Sequence, residues 1–241
     1  MAYDASLDEI HIPLRLGIGQ ALSDGFDATK RNFLNWLILG IVAYFGSMVL
    51  QITCIGLLAL PALMWGVQKF ALDALDGEPE WNVVLSGFED FKTSFIGIAG
   101  AQLGMFVAAL PGIVLGSVFI FGGIAGQEAM SPGADVPAIM LGGMGVGLLL
   151  LLIGYIPIFR LMMAPCYVVD QGMGPIDALK ASWRDSSGNV LSLFGLLFAS
   201  TFVILIGELM CFVGMIPAMM VVQGGMASAY RQMAGQGKYA E

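Results

Sequence analysis

The sequence predicts an all-α integral membrane protein with six transmembrane helices, and three observations lead to this prediction. Apolar residues make up 58% of the 241 positions and charged residues only 12%, whereas an average soluble domain has about 45–50% and about 25%. The apolar residues are concentrated in long blocks, and a six-span arrangement puts every basic residue on one side of the membrane. A soluble chain of this length has too little polar surface to cover such a core.

The apolar blocks set the number of spans, because a helix needs roughly 20 apolar residues to cross a bilayer. The blocks cover residues 33–72, 95–125, 136–169 and 190–226. The first and last are long enough for two spans each, with predicted turns at 54–61 and 211–217. The other two are single spans separated by residues 126–135, whose glycine, proline and acidic residues predict a loop.

The basic residues orient the six spans. All ten lysines and arginines face one side in this arrangement, and the two tight turns and the loop on the other side contain none. Because basic residues are enriched on the cytoplasmic side, both termini are predicted to be cytoplasmic. Residues 1–13 lack the features of a signal peptide and are predicted to be a cytoplasmic tail. The ten basic residues are Arg15, Lys30, Arg31, Lys69, Lys92, Arg160, Lys180, Arg184, Arg231 and Lys238.

An internal repeat divides the chain into three units. Residues 25–33 (GFDATKRNF) and 87–95 (GFEDFKTSF) share the pattern G-F-acid-x-x-K-x-x-F, and each segment leads into a span. A looser third copy aligns 178–183 (ALKASW) with 21–26 (ALSDGF), and this register pairs Asn32 with Asn189. The single predicted membrane domain, residues 1–241, therefore contains repeats at about 14–77, about 80–169 and about 174–235.

Each repeat begins with a segment that predicts a short amphipathic helix, followed by a helical hairpin. We expect these helices to lie in the cytoplasmic interface with their aromatic side towards the lipid; ordinary cytoplasmic connectors are the alternative. The apolar stripes are Leu14, Ile18, Ala21, Leu22 and Phe26 in the first repeat, Trp81, Val84, Leu85 and Phe88 in the second, and Ile176, Leu179 and Trp183 in the third.

Residues 164–183 (APCYVVDQGMGPIDALKASW) resemble a signature of the YciC-like group of bacterial integral membrane proteins. That group is related to the membrane domain attached to some glycerophosphoryl diester phosphodiesterases. Its members pair an A-P-x-x-V-x-D-x-G span exit with an A-L-x-x-S-W amphipathic helix, and the resemblance is clearest over residues 160–235. It implies a six-span fold in the bacterial inner (cytoplasmic) membrane, a mostly unassigned function and no catalytic residues.

Glu208 and Gln51 form the candidate polar site. Glu208 is the only acidic residue well inside an apolar block, and intramembrane acids are often functional. It falls near the non-cytoplasmic end of its span, where a hydrated carboxylate is the simpler interpretation. Gln51 is its partner in the repeat, so the two residues predict a shared polar or transport site.

A second set of candidates has side chains suited to lipid headgroups. Arg160 ends the fourth span, where its guanidinium is expected to reach the cytoplasmic headgroups or to contact a lipid phosphate. Lys30, Lys92, Lys180 and Trp183 lie in or beside the three amphipathic segments and are candidates for the same contact.

Small residues and cysteines give weaker signals. Four G-x-x-x-G pairs predict close packing between spans three and four or across an oligomer interface. Cys54 and Cys211 occupy matching positions near the outer face, and either buried free thiols or a disulfide fits them. The pairs are Gly100 with Gly104, Gly112 with Gly116, Gly122 with Gly126, and Gly143 with Gly147.

The sequence contains no motif for catalysis, metal binding or cofactor binding, and its only histidine, His11, has no ligand companions. It also lacks the basic stripe of a nucleic-acid-binding protein. We therefore expect a non-enzymatic membrane protein, either an accessory or scaffold subunit of a membrane complex or an envelope-organising protein. It is expected to contact the bilayer and either other membrane subunits or copies of itself. A small-solute or lipid transporter or channel using Glu208 and Gln51 is the alternative, and a lipid enzyme is a weaker third.

Overall fold

The computed structural model describes residues 15–52, 54–77, 79–125, 136–209 and 214–236. These residues form ten α-helices and one 3-10 helix, without a strand in the described ranges. The fold is therefore all-α, as predicted. The helices are α1 (Ile18–Arg31), α2 (Phe33–Ile52), α3 (Cys54–Asp76), the 3-10 helix (Trp81–Leu85), α4 (Ser86–Glu89), α5 (Phe91–Ala125), α6 (Val136–Leu161), α7 (Ala164–Gln171), α8 (Pro175–Asp185), α9 (Val190–Leu209) and α10 (Met215–Ala234).

Three helical segments in the described part are long and apolar enough to cross a membrane. They are Phe91–Gly122, Gly142–Gln171 and Val190–Leu209. Few of their side chains are buried inside the protein, with 11% of the apolar window buried in the first segment and 22% in each of the others. Apolar helices that face outward need a lipid environment, so the chain is a membrane protein.

Three pairs of long helices follow one another along the chain: α2 with α3, α5 with α6, and α9 with α10, and the members of each pair pack together. The predicted turn at 54–61 is wrong over most of its length, because α3 begins at Cys54 and contains Pro61. The residues on both sides of Pro61 are helical, so the proline lies inside α3. Met215 begins α10, so Pro217 lies in its first turn, where proline is tolerated.

A short helical segment precedes each pair and packs through one small residue. A Cβ added at Gly25 of α1 would lie 2.4 Å from the carbonyl oxygen of Val221 in α10. A Cβ added at Gly87 of α4 would lie 2.0 Å from the carbonyl oxygen of Ala62 in α3. In α8 the residue that corresponds to Gly25 and Gly87 is Ser182. Its hydroxyl donates to the carbonyl oxygen of Arg160 in α6 at 2.7 Å. Each segment therefore rests on the second helix of a pair.

Glycines also bring α5 and α6 together, as predicted for the pair Gly112 with Gly116 and for Gly147. A Cβ at Gly112 would lie 2.2 Å from Cα of Gly154, and one at Gly116 would lie 2.8 Å from the carbonyl oxygen of Gly147.

The remaining glycine pairs behave differently. A Cβ at Gly100 would contact Pro175 and one at Gly104 would contact Leu179, so this pair accommodates α8 instead of α6. No atom lies within 4 Å of a Cβ at Gly122, and Gly126 is outside the described residues. The prediction of α5–α6 packing was wrong for Gly100 and Gly104, because glycine spacing does not specify which neighbour fills the gap. For Gly122 with Gly126 it stays a prediction.

Candidate functional site at the polar end of the bundle

An arginine joins three helices at one end of the bundle. Nη2 of Arg231, in the last turn of α10, lies 2.7 Å from Oδ2 of Asp76 in α3 and 3.6 Å from Oδ1 of Asp170 in α7. The arginine side chain is only 15% exposed. A partly desolvated guanidinium needs nearby carboxylates, so this charge cluster holds the ends of α3, α7 and α10 together.

Two buried tyrosines lie beside the arginine. The rings of Tyr167 and Tyr230 meet edge to face, with centroids 4.8 Å apart. The hydroxyl of Tyr230 donates to Oδ2 of Asp170 at 2.7 Å and accepts from Nε2 of Gln171 at 3.0 Å. Tyr167 donates to Oδ2 of Asp185 at the end of α8. Hydrogen bonds to ionised acceptors are stronger than neutral ones, so the two tyrosines link α7, α8 and α10.

The beginning of α1 is fixed to the same end of the bundle. The backbone N–H of Leu16 donates to Oδ1 of Asn189 at 3.0 Å, and that of Gly17 donates to Oε1 of Gln232 at 2.8 Å. Gly17 is the N-cap residue of α1 and Leu16 precedes it, so neither N–H group has a partner within the helix. Asn189 and Gln232 supply those partners from elsewhere in the chain and so anchor α1 against α9 and α10.

Arg160 bonds to the protein itself. Its Nη2 donates to the carbonyl oxygen of Trp183 at 2.6 Å and to Oγ of Ser187 at 2.6 Å, and Nε donates to Oγ of Ser186 at 3.3 Å. The guanidinium carbon also lies 3.8 Å from the centroid of the Trp183 ring. A guanidinium has five N–H donors, and this arrangement positions it at the α8–α9 junction, with a lipid contact remaining a prediction.

The three candidate lysines are not brought together. Lys30 lies in the last turn of α1 and borders a cavity of 610 Å³ with Asp27, whereas Lys92 lies in the first turn of α5 and borders a separate cavity of 310 Å³. Lys180, in the middle of α8, pairs with Asp177 at 3.6 Å. All three lysines are exposed. They are therefore distributed over three helices, and their contact with headgroups stays a prediction.

The predicted polar site of Glu208 and Gln51 is described only in part. Glu208 is an exposed residue one position before the end of α9. Gln51 lies in the last turn of α2, and its side chain is outside the described residues, as are Cys211 and the side chain of Cys54. The shared site, its role in transport and the state of the two cysteines therefore stay predictions.

A groove of 550 Å³ runs between α2 and α10, with α3 at its base. Its lining is apolar and rich in methionine, and Trp36 and Gln223 lie at one end. The Trp36 ring is buried and packs edge to face on Phe70, with centroids 4.7 Å apart. Nε1 of Trp36 has no hydrogen-bond acceptor within the described ranges. The volume lies in the range of ligand pockets, about 300–1,000 Å³.

The described residues form no candidate metal site. Within those ranges, no group of three or more histidine, cysteine, aspartate or glutamate side chains is placed to hold a metal ion. The acidic side chains at the polar end bond to arginine and tyrosine instead. What this arrangement does chemically is to hold helices in place.

A family model described as "Domain of unknown function (DUF7847)" matches residues 91–238, which is 148 of the 241 residues. The chain belongs to the DUF7847 family. The matched region begins at α5 and includes the tyrosine pair, Arg160 and Arg231. Neither the comparison with curated proteins nor the comparison with solved structures gives a match. The family description assigns no activity, and the resemblance to the YciC-like group stays a prediction.

The cluster of Tyr167, Tyr230 and Arg231 was not among the sites predicted from the sequence. Tyr167 and Asp170 lie within the YciC-like segment, but their contacts with Tyr230 and Arg231 connect positions about 60 residues apart. The available signal was compositional: aromatic and charged residues adjoin at the ends of two apolar blocks. Such residues are often interfacial anchors, and only the fold reveals that they bond to each other.

Proposed function

We propose that the chain is a non-enzymatic six-span protein of the bacterial inner membrane, built from three repeats and serving as an accessory or scaffold subunit of a membrane complex. The six spans would be α2, α3, α5, α6 with α7, α9 and α10. Three of these helical segments are long and apolar enough on their own to cross a membrane. Support for the other three comes from their pairing: α2 with α3 and α9 with α10 each form packed antiparallel neighbours.

The contacts of the short segments support the repeat. Gly25, Gly87 and Ser182 are equivalent in the sequence alignment, and each contacts the second helix of a pair: α10, α3 and α6 respectively. Repeats one, two and three thus contact the hairpins of repeats three, one and two. The contacts follow a cyclic order, as expected for three copies of one unit arranged around a common axis.

Buried positions support the repeat independently. Three equivalent sites at the start of the first span of each repeat are almost fully buried in all three copies, at 4% exposure or less. Their spacing of four and then three residues places them on one helical face. The three sets are Asn32, Ser94 and Asn189; Trp36, Ile98 and Leu193; and Leu39, Ala101 and Leu196.

Three arginines support the common orientation of the basic residues. Arg231 pairs with Asp76 at the end of α3, and Nη2 of Arg31 lies 3.3 Å from the carbonyl oxygen of Leu75 in the same helix. Arg160 bonds to the turn between α8 and α9. These residues belong to all three repeats and lie where spans enter or leave one end of the bundle. By the positive-inside rule that end would be cytoplasmic.

The α5–α6 hairpin carries the proposal of a scaffold role. It packs tightly within itself through glycines, yet large apolar residues on α5 remain exposed along its length, among them Leu103, Phe106, Leu110 and Val118. Contacts with the rest of the fold come mainly from the first half of α5 and the end of α6. A rigid apolar hairpin projecting from the bundle suits attachment to other transmembrane helices.

Site-specific photocrosslinking in native membranes tests this role. A photoreactive amino acid at Leu110 is expected to capture a discrete protein adduct, identified by mass spectrometry, because this side chain would face the partner. The matched control carries the same group at Leu34, an exposed apolar residue of α2. Absence of a discrete adduct from Leu110, with a monomer after purification in mild detergent, would contradict the scaffold role.

A further inference from the structure

We propose that the groove between α2 and α10 binds one acyl chain of a phospholipid from the cytoplasmic leaflet, with the amide of Gln223 donating a hydrogen bond to the lipid ester carbonyl. This inference rests on the orientation proposed above. The groove has a volume of 550 Å³ and is bounded by helices on three sides.

The length of the groove matches one leaflet. Trp36 and Ser47 line it eleven residues apart on α2, a distance of about 16 Å along an α-helix. Half of the hydrocarbon core of a bilayer is roughly 15 Å. Trp36 lies three residues from the start of α2 at Phe33, so the inner end of the groove falls at the boundary between hydrocarbon and headgroups.

The register of α2 and α10 places Gln223 at the inner end of the groove. A Cβ at Gly40 would contact Ile216 and Met220, which fixes the antiparallel register of α2 and α10. In this register Gln223 lies level with Trp36 at the inner end, Met219 lies level with Leu39, and Met215 lies level with Ala43 near the middle of the groove.

Polar groups at the inner end indicate the polar part of the ligand. Nε1 of Trp36 is buried without an acceptor in the described part of the chain, and the side-chain amide of Gln223 lines the same end of the groove. A buried N–H group without an acceptor is unfavourable in an apolar environment. A neutral ester carbonyl at this depth supplies an acceptor without introducing charge, and the lipid itself brings it to the membrane.

The methionine lining suits a hydrocarbon chain. Methionine is unbranched and adjusts to irregular apolar shapes, and Met215 and Met219 border the part of the groove where the chain would run. Met219 is 41% exposed, so the groove opens sideways to the bilayer at this residue. A lipid chain enters such a groove from the side.

Photocrosslinking with a lipid probe tests the site. The full chain is reconstituted in vesicles of phosphatidylethanolamine and phosphatidylglycerol, in which one acyl chain carries a terminal diazirine. We expect label concentrated on the peptide that contains Met215 and Met219. Ala43→Phe, which fills the groove, lowers this labelling by about tenfold or more, and Gln223→Leu lowers it about fivefold, the effect of one neutral hydrogen bond.

The control is Ile41→Phe, which adds the same ring at the same depth on an exposed face of α2 outside the groove, and it leaves labelling unchanged. Unfolding midpoints and gel filtration identify a variant that fails to fold. Native mass spectrometry then measures the phospholipid retained by the wild type and Gln223→Leu, and wild type retains more.

Label spread evenly over the lipid-facing helices, or a crosslink to a second copy of the chain in the groove, would overturn the proposal. So would equal labelling of the wild type and Ala43→Phe. The experiments test the lipid site and the membrane orientation separately. If a topology reporter placed the 126–135 loop in the cytoplasm while Ala43→Phe still removed the label, the groove would stand and only the leaflet would change.

Discussion

At the residue scale, the hydrogen bond between Tyr230 and Asp170 connects α10 to α7. A conservative substitution can remove this bond. Tyr230→Phe removes the hydroxyl and keeps the edge-to-face contact with Tyr167. Because the acceptor is a carboxylate, we expect the free energy of unfolding to fall by about 2 kcal/mol. Chemical or thermal unfolding in one detergent measures it.

Tyr155→Phe is the matched control for this change. Tyr155 is 45% exposed on α6, so loss of its hydroxyl should change the free energy of unfolding by less than about 0.5 kcal/mol. Equal effects of the two substitutions would mean that the Tyr230 hydroxyl makes no specific contribution to stability.

Asp90 gives a pH-dependent prediction at the start of α5. Its carboxylate accepts hydrogen bonds from the Thr93 hydroxyl and the Thr93 backbone N–H, which lower the pKa of Asp90 below its ordinary value of 3.8. A lowered pKa in the folded state means that this stabilisation is fully present above the ordinary value and is lost as pH falls through the lowered one. We expect Asp90→Ala to reduce the unfolding temperature near neutral pH and to match the wild type in acid.

The corresponding control is Glu89→Ala, which removes a neighbouring exposed acid. Unfolding midpoints of the three proteins are compared over the pH range in which they remain soluble in detergent. A difference between Asp90→Ala and the wild type that stays constant down to the most acidic condition would contradict the role assigned to this carboxylate.

At the element scale, the contact of α1 with α10 depends on Gly25. A Cβ there would lie 2.4 Å from the carbonyl oxygen of Val221 and 2.5 Å from the backbone nitrogen of Gly225. Both atoms are backbone, so a side-chain rotation cannot relieve the overlap. We expect Gly25→Ala to separate the helices and to lower the free energy of unfolding by about 1–3 kcal/mol.

The same helix provides the control, because no atom lies within 4 Å of a Cβ at Gly19. Gly19→Ala should leave the free energy of unfolding unchanged or raise it by up to about 1 kcal/mol through helix propensity. Thermal unfolding of both variants tests the pair. If Gly25→Ala were as stable as Gly19→Ala, the close crossing of α1 and α10 would be wrong.

Sequence patterns predicted these elements better than their contacts. Apolar length and composition predicted the all-α membrane fold, and the motif around Gly25 and Gly87 marked the segments that precede α2 and α5. The helix that packs against a given glycine was not predictable from the sequence, because it depends on which backbone segment lies opposite that glycine in the fold. Gly104 therefore contacts Leu179 of α8 although its spacing suggested α6. The bonds of Tyr167 to Asp185 and of Tyr230 to Asp170 likewise depend on tertiary geometry.

At the scale of the whole molecule, charged bonds and apolar surfaces are separated along the helix axes. The bonds of Arg231, Tyr167 and Arg160 lie near the helix junctions at one end, whereas the middle of α5 and α9 exposes apolar residues. This distribution suits a bilayer, where the polar end stays hydrated and the apolar faces meet lipid.

The six-span topology predicts which positions a membrane-impermeant reagent can reach from outside the cell. With both termini cytoplasmic, the 126–135 loop lies outside the cytoplasm, so a cysteine at Ser131 in a chain with its three native cysteines replaced should react with a membrane-impermeant thiol reagent added to intact cells. A cysteine at Lys180, exposed on α8, should react only after the membrane is opened. The reason is the positive-inside rule, which assigns the arginine-rich end to the cytoplasm. Labelling of both positions from the same side would require an even number of spans between them in place of the single span that contains α6. The six-span arrangement would then be wrong.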